Sequence, residues 1–167
     1  MENKLPDLIY EQLKINPPEN RRILSIQSHV VHGYAGNKCS IFPMQLHGYE
    51  VDPINCVQYS NHSAYKFMKG QKLDSVQLSN IYEGLKLNQI NSYSHVLTGY
   101  CSNISFLKEV VNIVKDLKQK NPDILFYCDP VLGDNGRYYV PEEMMPVYRD
   151  ILVPLADLIS PNIFELS

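Results

Sequence analysis

Two carboxylates, Asp129 and Asp134, lie five residues apart in the segment YCDPVLGDNGR (residues 127–137), directly after an apolar run. Pro130 restricts the backbone where this predicted strand ends, and Gly133 permits a sharp turn. Carboxylate oxygens in such a turn suit Mg²⁺ and the phosphates it accompanies. Alternatively, each Asp caps its own backbone in an Asx-turn. The local sequence is compatible with both interpretations.

The elements that hold this segment follow from the apolar pattern, which alternates between short strand-like runs and helical periodicity. Asp74 and Gln77 form a predicted helix N-cap, and Pro53 is expected at a sheet edge or a bend. The predicted strands are residues 23–26, 49–59, 95–98, 124–128 and 158–160. Four helices are predicted: residues 37–47, a helix whose apolar face is Val76, Ile81 and Leu85, a helix whose apolar face is Leu107, Val110, Val111, Val114 and Leu117, and a helix that begins at Pro141. This alternation predicts an α/β fold with a mainly parallel sheet and helices on both faces.

The residues that follow these strands are polar, aromatic or glycine-rich at almost every strand end. They are Ser28, residues 59–63, residues 98–100, residues 129–134 and residues 160–165. In open parallel sheets, ligands bind outside the carboxyl ends of the strands. Five such segments at one edge therefore favour the ligand interpretation of the Asp129 and Asp134 pair.

Composition excludes several classes of partner. The 167-residue chain has a net charge of −3, which gives no basic surface for nucleic acid, and no apolar run is long enough to cross a membrane. Its four cysteines are scattered without a C-x-x-C pair, which predicts reduced thiols in a cytoplasmic protein. Residues 1–20 lack the pattern of a signal peptide and are expected to be a flexible tail before a domain at residues 21–167.

Several common catalytic motifs do not occur in the sequence. It contains no G-x-G-x-x-G, no P-loop and no G-x-S-x-G, which argues against a dinucleotide site, a Walker-type site and a hydrolase elbow. His29 and His32 lie in a glycine turn, where structural roles are favoured over metal ligation.

Five segments together resemble the pyridoxal kinases of the ribokinase-like superfamily. They are SIQSHVVHGYAGN (25–37), QYSNHSAY (58–65), VLTGY (96–100), CDPVLGD (128–134) and SPNIFE (160–165). The resemblance runs in order from about residue 21 to residue 165. It implies a three-layer α/β/α fold, of which this chain is the N-terminal half, truncated after about the fifth strand.

The resemblance also implies an activity: transfer of the ATP γ-phosphate to the 5′-hydroxymethyl group of pyridoxal, pyridoxine or pyridoxamine. Residues matching Ser28 and Ser63 contact the pyridine ring in this family, and one matching Tyr100 packs against it. Ser63 stands where many members have Thr, which keeps the hydroxyl and loses a methyl group. Further neighbours of this pocket are expected to be Ala35, Tyr59 and His62.

On the nucleotide side, the resemblance implies that Asp129, Asn162 and Glu165 lie near the ATP phosphates and their Mg²⁺ or Zn²⁺ ion. Asp134 and Ser160 match a site for a monovalent cation, K⁺ or Na⁺. Residues 135–139 match a lid between the two substrates.

One part of the family pattern is missing from the sequence. The glycine-rich anion hole of the G-T-G-D type and the catalytic Asp are not found, so we expect no catalytic residue here and little kinase activity from this polypeptide alone. A last strand with an exposed edge also predicts poor solubility. The family is dimeric, which implies a homodimer. Two alternatives stay open: a non-catalytic short isoform that binds vitamers or pairs with full-length subunits, and a hydroxymethylpyrimidine-type vitamin kinase.

Overall fold

The computed structural model describes residues 21–166, so the predicted tail and the last residue lie outside the described part of the chain. In chain order the elements are β1 (Arg22–Val30), α1 (Asn37–Leu46), β2 (Glu50–Tyr59), β3 (Gly70–Lys72), α2 (Ser75–Leu87), β4 (His95–Thr98), α3 (Ile104–Lys120), β5 (Leu125–Cys128), β6 (Gly133–Asp134), β7 (Arg137–Tyr138) and β8 (Leu158–Ile159). Four short helical pieces occupy residues 142–155, and a 3₁₀ turn spans Phe164–Leu166.

Six strands form the main sheet, in the order β3-β2-β1-β4-β5-β8. The five predicted strands are its parallel members, and β3 is an additional strand antiparallel to β2. Because β1 lies between β2 and β4, the chain winds outward from β1 in both directions, as doubly wound α/β proteins do. The predicted mainly parallel α/β sheet is confirmed.

Different helices cover the two faces of the sheet. Ser25 and Gln27 point towards α1, because they form hydrogen bonds with its side chains. Side chains alternate along a strand, so Leu24 and Ile26 point to the opposite face. There they belong to the main apolar core, together with buried side chains of α2 and α3. Helices therefore lie on both faces, as predicted.

Helix α3 contributes seven buried side chains to that core, more than any other element in the described part of the chain. Its five predicted apolar positions are all buried, and Phe106 and Ile113 extend the same face. Asn103 caps the helix by accepting a hydrogen bond from the Phe106 N–H at 2.9 Å.

No helix within residues 21–166 combines the length and apolarity needed to cross a lipid bilayer.

Helix α2 begins as predicted but turns a different face inward. Asp74 and Gln77 form a capping box, each side chain accepting from the backbone N–H of the other residue. The predicted apolar face is wrong at two of its three positions, because Val76 is 66% exposed and Ile81 is 42% exposed, whereas Leu85 packs against the core. The buried positions are Leu78 and Tyr82, which lie one turn apart on the side that meets α3.

Pro53 lies at a sheet edge, and three of the four cysteines lie in the core. Strand β3 pairs with β2 only at Val57–Tyr59. At Pro53, the side of β2 that faces away from β1 is therefore an unpaired sheet edge, as predicted. Cys56, Cys101 and Cys128 are buried and free, as expected of core thiols, whereas Cys39 is free and exposed on α1.

The two edges of the main sheet differ in character. Strand β3 is three residues long, fully exposed and polar, with the sequence Gly-Gln-Lys. At the other edge, Leu158 of β8 is 53% exposed and Ile159 is 41% exposed. The β8 edge is therefore the apolar one.

Candidate functional site

The strand order arranges the predicted site residues in a row along the carboxyl edge of the sheet. From β2 through β1 to β4, Ser63 follows β2, Ser28 lies inside β1 two residues before its end, and Tyr100 follows β4. Because β1 is longer than the predicted strand, Ser28 is a strand residue and does not follow the strand as predicted. The next two strands, β5 and β8, lead into Asp129 and the 160–165 segment. Neighbouring strands lie about 4.8 Å apart, so this row spans a single continuous edge. The predicted vitamer residues thus lie on one half and the predicted phosphate residues on the other.

Ser28 is held at the end of β1 by the turn that follows it. The chain folds back so that Gly36 forms an antiparallel bridge with His29. A Cβ atom on Gly36 would lie 2.1 Å from the Ser28 carbonyl oxygen and 2.5 Å from Ser28 Oγ, and Gly36 has a φ of +54°. Only glycine permits both the backbone angle and this close approach. The backbone of Gly36 is therefore packed closely against Ser28, the predicted vitamer contact.

Ser63 lies in an exposed loop that leaves the end of β2. The base of the loop is closed because the Ser60 N–H donates to the Lys69 carbonyl at 2.7 Å. Within it the His62 and Tyr65 rings meet edge to face at 4.7 Å between centroids. Ser63 itself is exposed, and the structure gives it no contact with Ser28.

Tyr100 is half-buried at the end of β4, beside Tyr59 from the end of β2. Burial, followed by the neighbouring Tyr59 hydroxyl, raises the pKa of Tyr100 to about 12. Its backbone carbonyl accepts a hydrogen bond from the Cys56 thiol at 2.8 Å. The Tyr100 phenol therefore stays neutral at physiological pH and can pack against an aromatic ring.

Asp129 follows β5 immediately, and its backbone N–H donates to the Thr98 carbonyl at 3.0 Å. Burial and, to a smaller extent, the charge of Glu165 raise the pKa of the Asp129 carboxyl to about 6. Within residues 21–166, no hydrogen-bond donor reaches this carboxylate. Asp129 is therefore an acid whose negative charge is poorly compensated by the protein.

Glu165 and Asn162 form a second, well-connected corner. Glu165 Oε1 accepts from the Leu132 N–H at 2.9 Å and the Gly133 N–H at 3.4 Å, and Oε2 accepts from the Asn162 N–H at 2.9 Å. Asn162 Oδ1 accepts from the Glu165 N–H, and Asn162 Nδ2 donates to the Gly133 carbonyl at 2.7 Å. This reciprocal cap joins the segment after β8 to the loop after β5.

Asp134 behaves as the turn alternative predicts. Its Oδ1 accepts from the Asn135 N–H at 2.7 Å and its Oδ2 from Asn135 Nδ2 at 3.0 Å. Asn135 and Gly136 both have positive φ, at 50° and 74°, and form the two-residue tip of the β6–β7 hairpin. Ser160 donates its backbone N–H to the Cys128 carbonyl at 3.1 Å, and within residues 21–166 it forms no hydrogen bond with Asp134.

The sequence alone did not reveal this hairpin or the Glu165 cap. An Asn-Gly pair between strand-forming residues is a strong hairpin signal and would have predicted the tip. The spacing of Asn162 and Glu165 matches an N-cap and its third helical residue, which would have predicted the reciprocal cap.

The acidic corner fits a hard cation chemically. Asp129 and Glu165 are two carboxylates close enough for one to raise the pKa of the other. Mg²⁺ usually takes one or two protein carboxylates and completes its shell with water and substrate phosphates. Among the described residues no group of three or more His, Cys, Asp or Glu side chains could hold a metal alone. The site thus suits an ion that arrives with phosphate.

Comparison with known proteins gives consistent relatives. No protein-family model matches the sequence. The pyridoxal kinase of Sus scrofa is 56% identical over 148 residues, which cover 86% of this chain and 46% of that protein. The pyridoxal kinase of Leishmania donovani in complex with ADP and pyridoxamine has a TM-score of 0.82 and 47% identity, covering 87% of this chain and 53% of that one.

A phosphomethylpyrimidine kinase-type structure from Bacteroides thetaiotaomicron has the same TM-score, 0.82, at only 28% identity. The similarity in sequence therefore favours the pyridoxal kinases over the pyrimidine enzyme, while the fold is common to both. The chain spans about half the length of the curated relatives that it matches.

Proposed function

We propose that this chain, a homologue of pyridoxal kinases, supplies the vitamer pocket and part of the phosphate site of an ATP-dependent pyridoxal kinase. The reaction transfers the ATP γ-phosphate to the 5′-hydroxymethyl group of pyridoxal, pyridoxine or pyridoxamine. The observation that carries the proposal is the row of strand ends, with neutral hydroxyl and phenol groups on β2, β1 and β4 and carboxylates on β5 and β8. An uncharged alcohol and a phosphate donor would meet between β4 and β5.

In this proposal, the neutral half of the edge binds the pyridine ring. Ser28 and Ser63 offer hydroxyls to the ring substituents, and Tyr100 offers a partly buried aromatic surface. Tyr59 and His62 line the same side. The role of these residues is orientation, because holding the alcohol in line with the γ-phosphate removes much of the entropic barrier to phosphoryl transfer.

The charged half of the edge faces the nucleotide phosphates. Asp129 and Glu165 would hold Mg²⁺, or Zn²⁺, and Asn162 fixes the Glu165 carboxylate. A bound divalent ion supplies positive charge that neutralises the phosphates. Asp134 and Ser160 would hold a monovalent cation. Each carboxylate oxygen of Asp134 keeps a second lone pair for such an ion, and Ser160 follows β8, the strand next to β5.

The β6–β7 hairpin is the proposed lid. Its tip, Asn135–Gly136, is exposed and projects from the loop that Glu165 anchors. A hairpin anchored only at its base can swing over bound substrates and exclude water, which would otherwise hydrolyse ATP.

The sequence contains no G-x-G-D anion hole, and in this proposal the Asp129 carboxylate after β5 is assigned to the metal ion and not to proton transfer. We therefore expect the 167-residue polypeptide to bind pyridoxal and Mg-ATP without turning them over. The complete reaction requires a base and oxyanion donors from outside these residues.

Two assays test the proposed function. Protein immunopurified from its native source should phosphorylate pyridoxal with ATP, and the isolated 167-residue polypeptide should bind pyridoxal by calorimetry without forming product. Phosphorylation of hydroxymethylpyrimidine in place of pyridoxal would overturn the vitamer assignment. A native protein near 19 kDa that binds pyridoxal without turnover would instead support the non-catalytic short isoform. Sedimentation of the same preparation tests the expected homodimer.

A further inference from the structure

Five polar side chains form a hydrogen-bonded group beneath the β1–α1 turn, here called the Asn37 cluster. Its members are Ser25, Gln27, Asn37, Ser40 and Asn55. Ser25 and Asn37 are completely buried, and Gln27 is 8% exposed. Buried polar side chains are expensive unless their hydrogen bonds are satisfied, so a group of this size requires a structural reason.

Asn37 is the centre of the cluster and ties three elements together. Its Oδ1 accepts from Ser25 Oγ in β1 at 2.7 Å. Its Nδ2 donates to Asn55 Oδ1 at 2.8 Å and to the Ile54 carbonyl at 3.1 Å, both in β2, and approaches the Gln27 carbonyl at 3.5 Å. A side chain at the first position of α1 therefore binds both parallel strands at once.

The position of these contacts coincides with an irregularity in the sheet. The register of β1 and β2 shifts between Gln27 and Ser28, so Gln27 pairs with Asn55 while Ser28 pairs with Val57. The extra residue of this bulge is Cys56 of β2, which has no partner in β1, and the ladder resumes where Ser28 pairs with Val57. Asn37 Nδ2 reaches backbone carbonyls on both strands beside this shift, and so fixes the bulge.

Gln27 extends the cluster towards the neighbouring strand end. Its Nε2 donates to Ser25 Oγ at 2.9 Å and to Ser40 Oγ at 2.8 Å. Its side chain also lies against Gly99, where an added Cβ would be 3.1 Å from Gln27 Oε1. The cluster thus spans from the Ser28 bulge to the residue immediately before Tyr100.

From this arrangement we infer that the Asn37 cluster is a positioning device that sets the spacing between Ser28 and Tyr100, and thereby the affinity for the vitamer ring. The inference rests on the proposed function for the ligand it names. None of the five side chains needs to touch the vitamer. The cluster acts through the bulge beside Ser28 and through Gly99, and none of its hydrogen bonds involves the carboxylates after β5 and β8.

Binding by variants of the 167-residue chain tests this inference. Asn37→Asp keeps the shape but turns an oxygen towards the Ile54 carbonyl and Asn55 Oδ1, so pyridoxal affinity should fall about tenfold, or roughly 1.4 kcal/mol. The affinity for Mg-ATP should change less than about twofold, because the phosphate corner shares no bond with the cluster. A general loss of folding would weaken both ligands together.

Position 40 supplies a milder pair of variants. Ser40→Ala is compatible with helix α1 but removes one acceptor of Gln27, so it should weaken pyridoxal binding about threefold. Ser40→Thr keeps the hydroxyl and should restore the wild-type affinity.

A matched control is available at the opposite end of the sheet. Asn91 is 4% exposed, donates to the Tyr82 hydroxyl at 3.4 Å and accepts from Lys120 Nζ at 2.6 Å. Asn91→Asp removes a buried amide of the same type and should leave both affinities unchanged. Equal effects of the Asn37 and Asn91 variants on pyridoxal would overturn the inference.

Hydrogen exchange separates this inference from the proposed function. Asn37→Asp should increase amide exchange at residues 28–36 and 99–101, and Asn91→Asp should not. If the wild-type chain binds no pyridoxal, the proposed function fails. Amide hydrogen exchange then still tests whether the Asn37 cluster holds the ends of β1 and β4 in place. Unchanged exchange at residues 28–36 and 99–101 in Asn37→Asp would refute the inference on the cluster.

Discussion

The two halves of the carboxyl edge of this sheet are built from different chemistry. Beside the ends of β1 and β2, buried amides and hydroxyls form hydrogen bonds with one another, and the backbone is held by close packing at Gly36. Around the ends of β5 and β8, carboxylates face one another, and burial and mutual charge raise the pKa of Asp129. The first half carries no net charge in its hydrogen-bonded cluster, whereas the second becomes electrically balanced only with a cation or a proton.

The largest expected effect lies in the neutral half. Gly36→Ala introduces a Cβ that would lie 2.1 Å from the Ser28 carbonyl oxygen, at a backbone φ of +54°. The strain and the displacement together should lower the free energy of unfolding by roughly 3 kcal/mol. Urea denaturation of the 167-residue chain measures this loss.

Gly33 is the matched control for that substitution. It lies in the same turn with a φ of +86°, but an added Cβ would meet no atom within 4 Å. Gly33→Ala should therefore cost only about 1 kcal/mol, from the backbone angle alone. Equal losses at the two glycines would show that contact with Ser28 is unimportant.

The charged half should reveal itself through pH. The folded-state pKa of Asp129, about 6, is above its ordinary value of 3.8, so the folded protein holds more protons than the unfolded chain between these values. The contribution of Asp129 to stability is therefore greatest below 3.8 and is lost as pH rises through about 6. Mg-ATP binding should follow the opposite trend, because the cation requires the ionised carboxylate.

Glu165→Gln sharpens that prediction. It removes the charge that adds to the effect of burial, so the pKa of Asp129 should fall towards its ordinary value while remaining raised by burial. Carbon-13 NMR of the Asp129 carboxyl group, titrated in both proteins, provides the measurement. An unchanged pKa would mean that the two carboxylates do not interact.

The smallest effect is expected at Asp134. Asp134→Asn alters only the two bonds with Asn135 at an exposed hairpin tip, so stability should change by at most about 1 kcal/mol. If Asp134 also holds a monovalent cation, any stabilisation by K⁺ over a large organic cation should disappear in this variant. Thermal melts in the two salts distinguish a turn residue from a cation ligand.

The sequence predicted the elements best where local signals and burial agree. The spacing of Leu107, Val110 and Val114 predicted α3 and its buried face, and Asp74 with Gln77 predicted where α2 begins. The buried face of α2 was mispredicted because Val76 and Ile81 are apolar yet exposed, and the position of α3 decides which side is inward.

The candidate site was predictable as a set of strand ends but not as a geometry. Polar residues after five parallel strands indicated one edge, and the order of those strands came only from the fold. Gly36 against Ser28 and Asn37 beside the β1–β2 bulge are contacts between elements. Neither leaves a periodic trace in the sequence, since each depends on how a helix packs against two strands.

Because its two edges differ, the sheet can pair with a further strand more readily at one edge than at the other. At β3, a short polar strand with an exposed Lys72 discourages further pairing. At β8, the apolar side chains of Leu158 and Ile159 remain open beside backbone groups that can pair. An added strand would therefore pair more readily at β8, on the phosphate side, than at β3. A parallel strand docked there would deliver its own carboxyl end next to Asn162, so new chemistry would enter the site from that side.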